Sequence, residues 1–310
     1  EYSNLGEEAQ ALYDGEVDAI IYNSAYSNII KEQYSTFTKD TKVIYKHNIV
    51  VEIESDTSDE SVTKPFAVYL SGIDTNGDIT EQGRSDVNIV AVVNPTSHQV
   101  LLITTPRDYY VPIPGVSGGQ DDKLTHAGIY GVDVSMQTLE ELYDTDIEFF
   151  GRVNFTSMTS VVDALGGLDV ESDLEFDTGW ESGAEIHVNE GMNHFDGISA
   201  LAFCRERQAL PDGDNGRGVH QQAVITAIIK KMMSPAMLRG ASDIIESVSD
   251  GVDTNFTSSQ IQSLIKTQLR TNAKWNIYSV AADGTCGRRT AARTGSAGSY
   301  RCRRSRGAAP

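Results

Sequence analysis

Apolar positions of period two dominate the middle of the chain. "FAVYLSGI" (66–73) reads as a strand that runs into the polar loop "DTNGD". "VNIVAVV" and "VLLIT" flank the turn-rich "NPTSHQ", which predicts a β-hairpin. "IEFFGRV", "LDVESD" and "WNIYSVAA" read as further strands. Between them lie stretches with helical period. "VDVSMQTLEELYD" is amphipathic, and "TSMTSVVDALGG" stops at a glycine pair. "HFDGISALAFCRERQ" predicts a short helix starting near Asp196 and leading into an extended run that carries Arg205 and Arg207. The polar loop "PDGDNGRGVHQQ" feeds the long apolar-faced helix "AVITAIIKKMM", and "SDIIESVSD" and "SSQIQSLIKTQLR" follow as helices. Strands and helices interleave, so the expected class is α/β, with a mixed central sheet flanked by helices.

Before this core, residues 1–55 read as a small α/β piece that begins partway through a domain. It has a helix, a turn at Asp14-Gly15, a strand "VDAIIY", a second helix and a strand "TKVIYKHNIVVEI". Residues 56–65, acidic and rich in Ser and Thr, form a solvated linker ending near Pro65. The core domain is then 66–285. From 286 to 310 the chain carries seven arginines, no acid and no apolar period, and is expected to be a disordered basic tail.

Charge narrows the choice of partners. The net charge of −19 argues against nucleic acid and against an anionic membrane surface held by electrostatics. Three cysteines give neither a disulfide framework nor a zinc spacing, and Cys204 reads as a small buried apolar residue. No apolar stretch approaches the ~20 residues a membrane-spanning helix needs. The chain starts at Glu1 rather than Met, which leaves room for an anchor upstream.

Against this acidic background, clustered arginines stand out. If Val93 pairs with Val100 across the hairpin, Asp86 falls opposite Arg107, and cross-strand partners have Cβ atoms ~5 Å apart. A hairpin tied by one ion pair accounts for these two residues equally well. In "FCRERQALPDGDNGRGVHQQ", Arg205 and Arg207 are expected to share one face of an extended run. Arg217 lies at a helix start, with Gln221 one turn on. Guanidinium forks beside a helix N-terminus suit phosphate oxygens. The alternative is local pairing of these arginines with Glu206, Asp212 and Asp214. Asp74 ends the first core strand; with Asp86 it makes a carboxylate pair suited to Mg²⁺, although a turn-capping role explains a lone Asp-Thr-Asn-Gly as well.

Five segments, "YLSGIDTNGDITEQGRSDVNIVAVVNP", "LLITTPRDYYVPIPG", "DKLTHAGIYGVD", "VDALGGLDV" and "LAFCRERQALPDGDNGRGVHQQ", together resemble the LytR-CpsA-Psr family over roughly residues 66–283, closest to its CpsA-like members. The resemblance implies an enzyme at the outer face of the cytoplasmic membrane of Gram-positive bacteria, held by an N-terminal anchor. It implies Mg²⁺-dependent transfer of a glycopolymer, capsular polysaccharide or wall teichoic acid, from a polyprenyl-pyrophosphate carrier to peptidoglycan. Carried onto this chain, Asp74 and Asp86 match the metal-binding carboxylates. Arg84, Arg107, Arg205, Arg207, Arg217 and Gln221 match the pyrophosphate-contacting groups, and Asp214 matches a further acidic position. Asp86 or Asp108 would take the hydroxyl proton. The lipid would need an apolar cleft, which "VVDALGG" and "AVITAIIKKMM" would line unless they are ordinary core. The same residues would serve a hydrolase of the lipid pyrophosphate, as a main or a side activity. A regulatory binder of polyprenyl phosphates without turnover is the rival outside enzymology.

Overall fold

In the computed structural model, residues 5–22, 30, 34–45, 61–75, 79, 81–211, 214–234, 237, 244, 248, 251–282, 285–290 and 297–303 are described. Helices α1 (Leu5–Tyr13) and α2 (Phe37–Asp40) lie in the first segment. Ala9, Ile30 and Phe37 are buried there in a small cluster of their own. The turn at Asp14-Gly15 is present, with Gly15 at φ +72°. The strands expected at Val17–Tyr22 and from Thr41 onward are not: both stretches are irregular as far as Tyr22 and Tyr45. Among the described residues no sheet partner is in register with either, and a lone strand cannot satisfy its own backbone.

The core is a six-stranded mixed sheet. Strand β1 (Phe66–Ile73) pairs antiparallel with β2 (Ser85–Asn94), which pairs antiparallel with β3 (Gln99–Thr104). The hairpin register follows the arithmetic: Val93 faces Val100, and Ile89 faces Thr104. Two short strands, β4 (Tyr110–Pro112) and β5 (Asp121–Lys123), pair beside the sheet and lead through a 3-10 turn to helix α3 (Val132–Tyr143). Strand β6 (Phe149–Val153) returns parallel to β1. Helix α4 (Phe155–Ala164) starts in a capping box, in which the Ser157 amide donates to the Asn154 side chain at 2.9 Å.

A second layer follows. Strand β7 (Leu168–Ser172), the short β8 (Phe176–Asp177) and β9 (His187–Val188), and β10 (Gly191–Phe195) make two-stranded sheets, β7 with β10 and β8 with β9. "LDVESD" is therefore a strand as expected, but outside the central sheet. Helix α5 (Gly197–Arg205) is capped by Asp196, which accepts from the Ser199 amide at 2.8 Å. A Cβ on Gly197 would sit 2.3 Å from the Thr159 carbonyl oxygen, so only glycine lets α5 lie this close to α4. Helix α6 (Asp214–Met232), strand β11 (Asp253–Thr254), helix α7 (Ser258–Thr271) and strand β12 (Asn276–Ala281) complete the core. The sheet order is β11-β6-β1-β2-β3-β12. At its edge, Arg152 holds Asp253 at 2.6 and 2.9 Å through two nitrogens.

Period-two alternation sorts the sheet's side chains to two cores. Ala67, Tyr69 and Val90 pack toward α3, with Met136 and Leu139. Phe66, Val68, Ile89 and Leu102 pack on the other face, against Ile225 and Ile229 of α6 and Leu264 of α7. A mixed sheet covered by helices on both faces is the α/β architecture expected.

The tail is corrected over its described residues. The backbones of β13 (Thr285–Thr290) and β14 (Ala297–Arg303) pair antiparallel, from Thr285 opposite Arg303 to Thr290 opposite Ala297. Two extended segments joined by "AARTGS" satisfy each other's ladder without needing an apolar period. The helix expected at "SDIIESVSD" lies largely outside the described residues; Ile244 and Val248 within it are helical.

Candidate active site

One cleft of about 1050 Å³ gathers the singled-out residues. It is bordered by Asp74, Arg84, Asp86, Arg107, Arg205, Arg207, Arg217 and Gln221. These come from β1, β2, the β3–β4 connection, α5 with the segment after it, and α6.

The floor is made where β1 and β2 end. Gly72 faces Val87 but Ile73 faces Ser85, so Asp86 is the extra residue of a β-bulge. In a regular strand residues 86 and 87 would point to opposite faces. With the bulge, both border the cleft. Arg84 donates to Asp74 at 2.7 Å. Arg107 donates to one oxygen of Asp86 at 2.8 Å, and the Thr125 hydroxyl donates to the other at 3.2 Å. All four charged side chains keep between 17% and 30% exposure, enough to meet a ligand. The two carboxylates, at neighbouring strand ends on one cleft, have the donor chemistry that magnesium accepts alongside water and phosphate oxygens. Among the described residues no group of three or more His, Cys, Asp or Glu could hold a metal, so any ion here needs further oxygens from elsewhere.

The opposite wall departs from expectation. Arg205 is the last residue of α5 rather than part of an extended run, and Arg207 follows the helix cap Glu206. The Arg205 guanidinium lies over the Phe155 ring, 4.4 Å from its centroid. Glu206 is 2% exposed and does not serve these arginines as a counter-ion. Its carboxylate accepts from the amides of Gly179, Arg207, Gln208 and Ala209 at 2.7–3.0 Å and from the Ser182 hydroxyl at 2.8 Å. Burial alone would push its acidity the other way, but these donors hold the carboxyl at about 2. Arg217 and Gln221, on successive turns of α6, are 8% and 7% exposed.

The rest of the cleft is apolar. Ile225, Ile228, Ile229 and Met232 form one face of α6, and Ile261, Leu264 and Ile265 one face of α7. Val161 and Leu165 of α4 also border it. The two stripes in "VVDALGG" and "AVITAIIKKMM" therefore line a cleft and pack into core at once. No helix among the described residues is long and apolar enough to cross a membrane.

Two candidates stand apart. Asp108 does not border the cleft and pairs with Lys123 at 2.8 Å. The side chain of Asp214 lies outside the described part of the structure; its backbone opens α6. Sequence reasoning missed Glu206 as an anchor, because an acid between two arginines looks like their partner. It also missed Trp180, at the cleft mouth, and Phe155. An indole in the polar turn "DTGWESG" was the available signal for the first of these two.

A charged floor, an arginine wall and an apolar trough meet in one α/β cleft. The LytR_cpsA_psr family model matches residues 20–298, and the chain belongs to that family. The match starts inside the first segment and runs into the tail hairpin. The polyisoprenyl-teichoic acid–peptidoglycan teichoic acid transferase TagU of Bacillus cereus (strain AH820) is 34% identical over 244 residues, covering 78% of this chain and 74% of that protein. The crystal structure of B. subtilis TagV superimposes with a TM-score of 0.66 at 26% identity, over 78% of this chain and 92% of that one. TagT bound to LIIa-WTA gives a TM-score of 0.60 at 26% identity, over 84% and 88%.

Proposed function

We propose that this protein is a phosphotransferase that moves a glycopolymer from a polyprenyl-pyrophosphate carrier to peptidoglycan, at the outer face of the cytoplasmic membrane of a Gram-positive cell. The observation that carries this reading is the continuity of the charged and apolar halves of one cleft. A pyrophosphate and a polyprenyl chain are joined in the same way. Teichoic acid is the favoured polymer because TagU, the relative, is named for it; capsular polysaccharide is the alternative.

Arg84, Arg107, Arg205, Arg207, Arg217 and Gln221 would take the pyrophosphate oxygens, as charge-assisted donors. The trough between the sheet, α6 and α7 would hold the polyprenyl chain. A sugar hydroxyl of the acceptor forms a bond to the glycan-side phosphorus. The bond from that phosphorus to the bridging oxygen breaks, and polyprenyl phosphate leaves with the electron pair. The hydroxyl proton passes to Asp86, which borders the cleft, whereas Asp108 does not. Asp74 and Asp86 would hold Mg²⁺, which when bound offsets charge on the phosphates. In the same proposal, residues 1–55 are an accessory module joined by the linker 56–65, and an anchor upstream ties the protein to the membrane.

The test is direct. The protein is incubated with a labelled polyprenyl-pyrophosphate glycan, nascent peptidoglycan and Mg²⁺, with and without a chelator. Label on peptidoglycan, lost with the chelator, is the expected result. Free glycan phosphate with or without acceptor would make it a hydrolase, and tight binding without product would make it a regulatory binder.

A further inference from the structure

We propose that Trp180 is a stacking platform for a pyranose ring at the mouth of the cleft; this rests on the glycopolymer reading above. Trp180 borders the cleft yet is 76% exposed. Leaving so large an apolar ring in water forgoes burial worth ~2 kcal/mol or more. An indole held in this way is a surface offered to a ligand rather than a stray side chain, provided that its backbone is rigid.

It is rigid. Trp180 opens a one-turn 3-10 segment, Trp180–Ser182, in which the Ser182 amide donates to Gly179 at 3.0 Å and the Gly183 amide to Trp180 at 3.1 Å. Gly183 closes the turn at φ +103°, a conformation that side chains disfavour. The buried carboxylate of Glu206 then ties the turn to the arginine wall. One of its oxygens accepts from Gly179 and Ser182, the other from the amides of residues 207–209. A Cβ added to Gly183 would lie 3.2 Å from the Arg205 guanidinium, so the turn packs directly against a phosphate-binding group.

The surroundings select a sugar. The exposed Gln208 carboxamide donates to the exposed carboxylate of Glu181, the residue that follows Trp180. An exposed flat indole followed in the chain by a hydrogen-bonded carboxylate and carboxamide pair suits the apolar C–H face of a pyranose, with its hydroxyls on polar groups. A polyprenyl chain finds its match instead in the apolar trough between α6 and α7. The sugar belongs either to the carrier-linked glycan or to the acceptor strand, and both present the same ring chemistry.

The chain has two tryptophans, Trp180 and Trp275, so a Trp275→Phe variant leaves Trp180 as the sole indole reporter. Its emission is followed during titration with N-acetylglucosamine oligomers and, separately, with a short-chain isoprenyl-pyrophosphate glycan. Calorimetry on the parent and on Trp180→Ala repeats both titrations without needing the reporter variant. A saturable change in emission is expected, together with roughly three- to ten-fold weaker binding in Trp180→Ala. Trp180→Tyr should retain part of the affinity. Weakening with the oligomers assigns the platform to the acceptor; weakening only with the isoprenyl glycan assigns it to the carrier's sugar. Equal affinity of Trp180→Ala and parent for both probes overturns the platform. Binding of glycan-free isoprenyl pyrophosphate is measured in parallel. If that binding is intact, the platform fails alone; if the parent does not bind it, the phosphotransferase reading fails instead.

Discussion

The floor and the far wall of the cleft both mix arginine with acid, yet they handle charge differently. On the floor each arginine meets a carboxylate: Arg84 with Asp74, Arg107 with Asp86, at 2.7 and 2.8 Å. On the wall the acid between Arg205 and Arg207 is engaged by backbone amides and a hydroxyl. The floor is therefore charge-balanced, while the wall is cationic. The same Arg-and-acid composition yields two arginine–carboxylate pairs in one place and a carboxylate held by amides in the other. Which it becomes depends on where the carboxylate finds its donors.

Breaking the floor should have the largest effect. Asp86→Ala is expected to lower Mg²⁺-dependent transfer by roughly a thousandfold, with the fold intact by circular dichroism. Full activity in that variant would remove Asp86 from the chemistry and erase the distinction between floor and wall.

The wall should respond in binding. Charge-assisted contacts to phosphate are worth ~1.5–3 kcal/mol, so Arg207→Ala should weaken isoprenyl-pyrophosphate binding by roughly ten- to a hundred-fold, with little change in unfolding temperature. Arg207→Lys should recover only part, because a lysine lacks the two-pronged fork. An unchanged Kd in Arg207→Ala would show that the exposed arginine is a solvated charge.

Glu206 sharpens the comparison through pH. Its folded value of about 2 lies below the ordinary 4.5, so its contribution to stability is full above pH 4.5 and is lost as pH falls toward 2. Glu206→Gln should destabilise the protein by roughly 2–3 kcal/mol at neutral pH. The gap between variant and parent should narrow as the solution is acidified, as read by denaturant melts at several pH values. A gap that stays constant with pH would mean that shape, not charge, makes the anchor.

The smallest effect concerns Cys204, which borders the same cleft. Burial pushes its thiol up to about 12, with Arg217 opposing. At pH 8 the thiolate fraction is on the order of 10⁻⁴. Alkylation of the native protein by iodoacetamide should be slower than that of the unfolded chain by orders of magnitude. Fast labelling would indicate that the wall opens.

By itself the sequence determined what local pattern controls. The register of the β2–β3 hairpin followed from one turn and two apolar runs, and with it the meeting of Asp86 and Arg107. The helix starting at Asp196 and the stop at Gly166-Gly167 were equally legible, since caps and glycines act within a few residues. The irregular course of residues 17–22 and 41–45 was not, because a strand forms only with a partner elsewhere in the chain. Tertiary structure alone decided three features of the site. It put a bulge at Asp86, which turns that side chain to the same cleft as Val87. It drew Glu206 away from its neighbouring arginines, since four backbone amides and a hydroxyl from two segments outcompete a solvated guanidinium. It also joined the α6 and α7 stripes to the charged floor, because residues far apart in sequence share a cleft only once the sheet between them has formed.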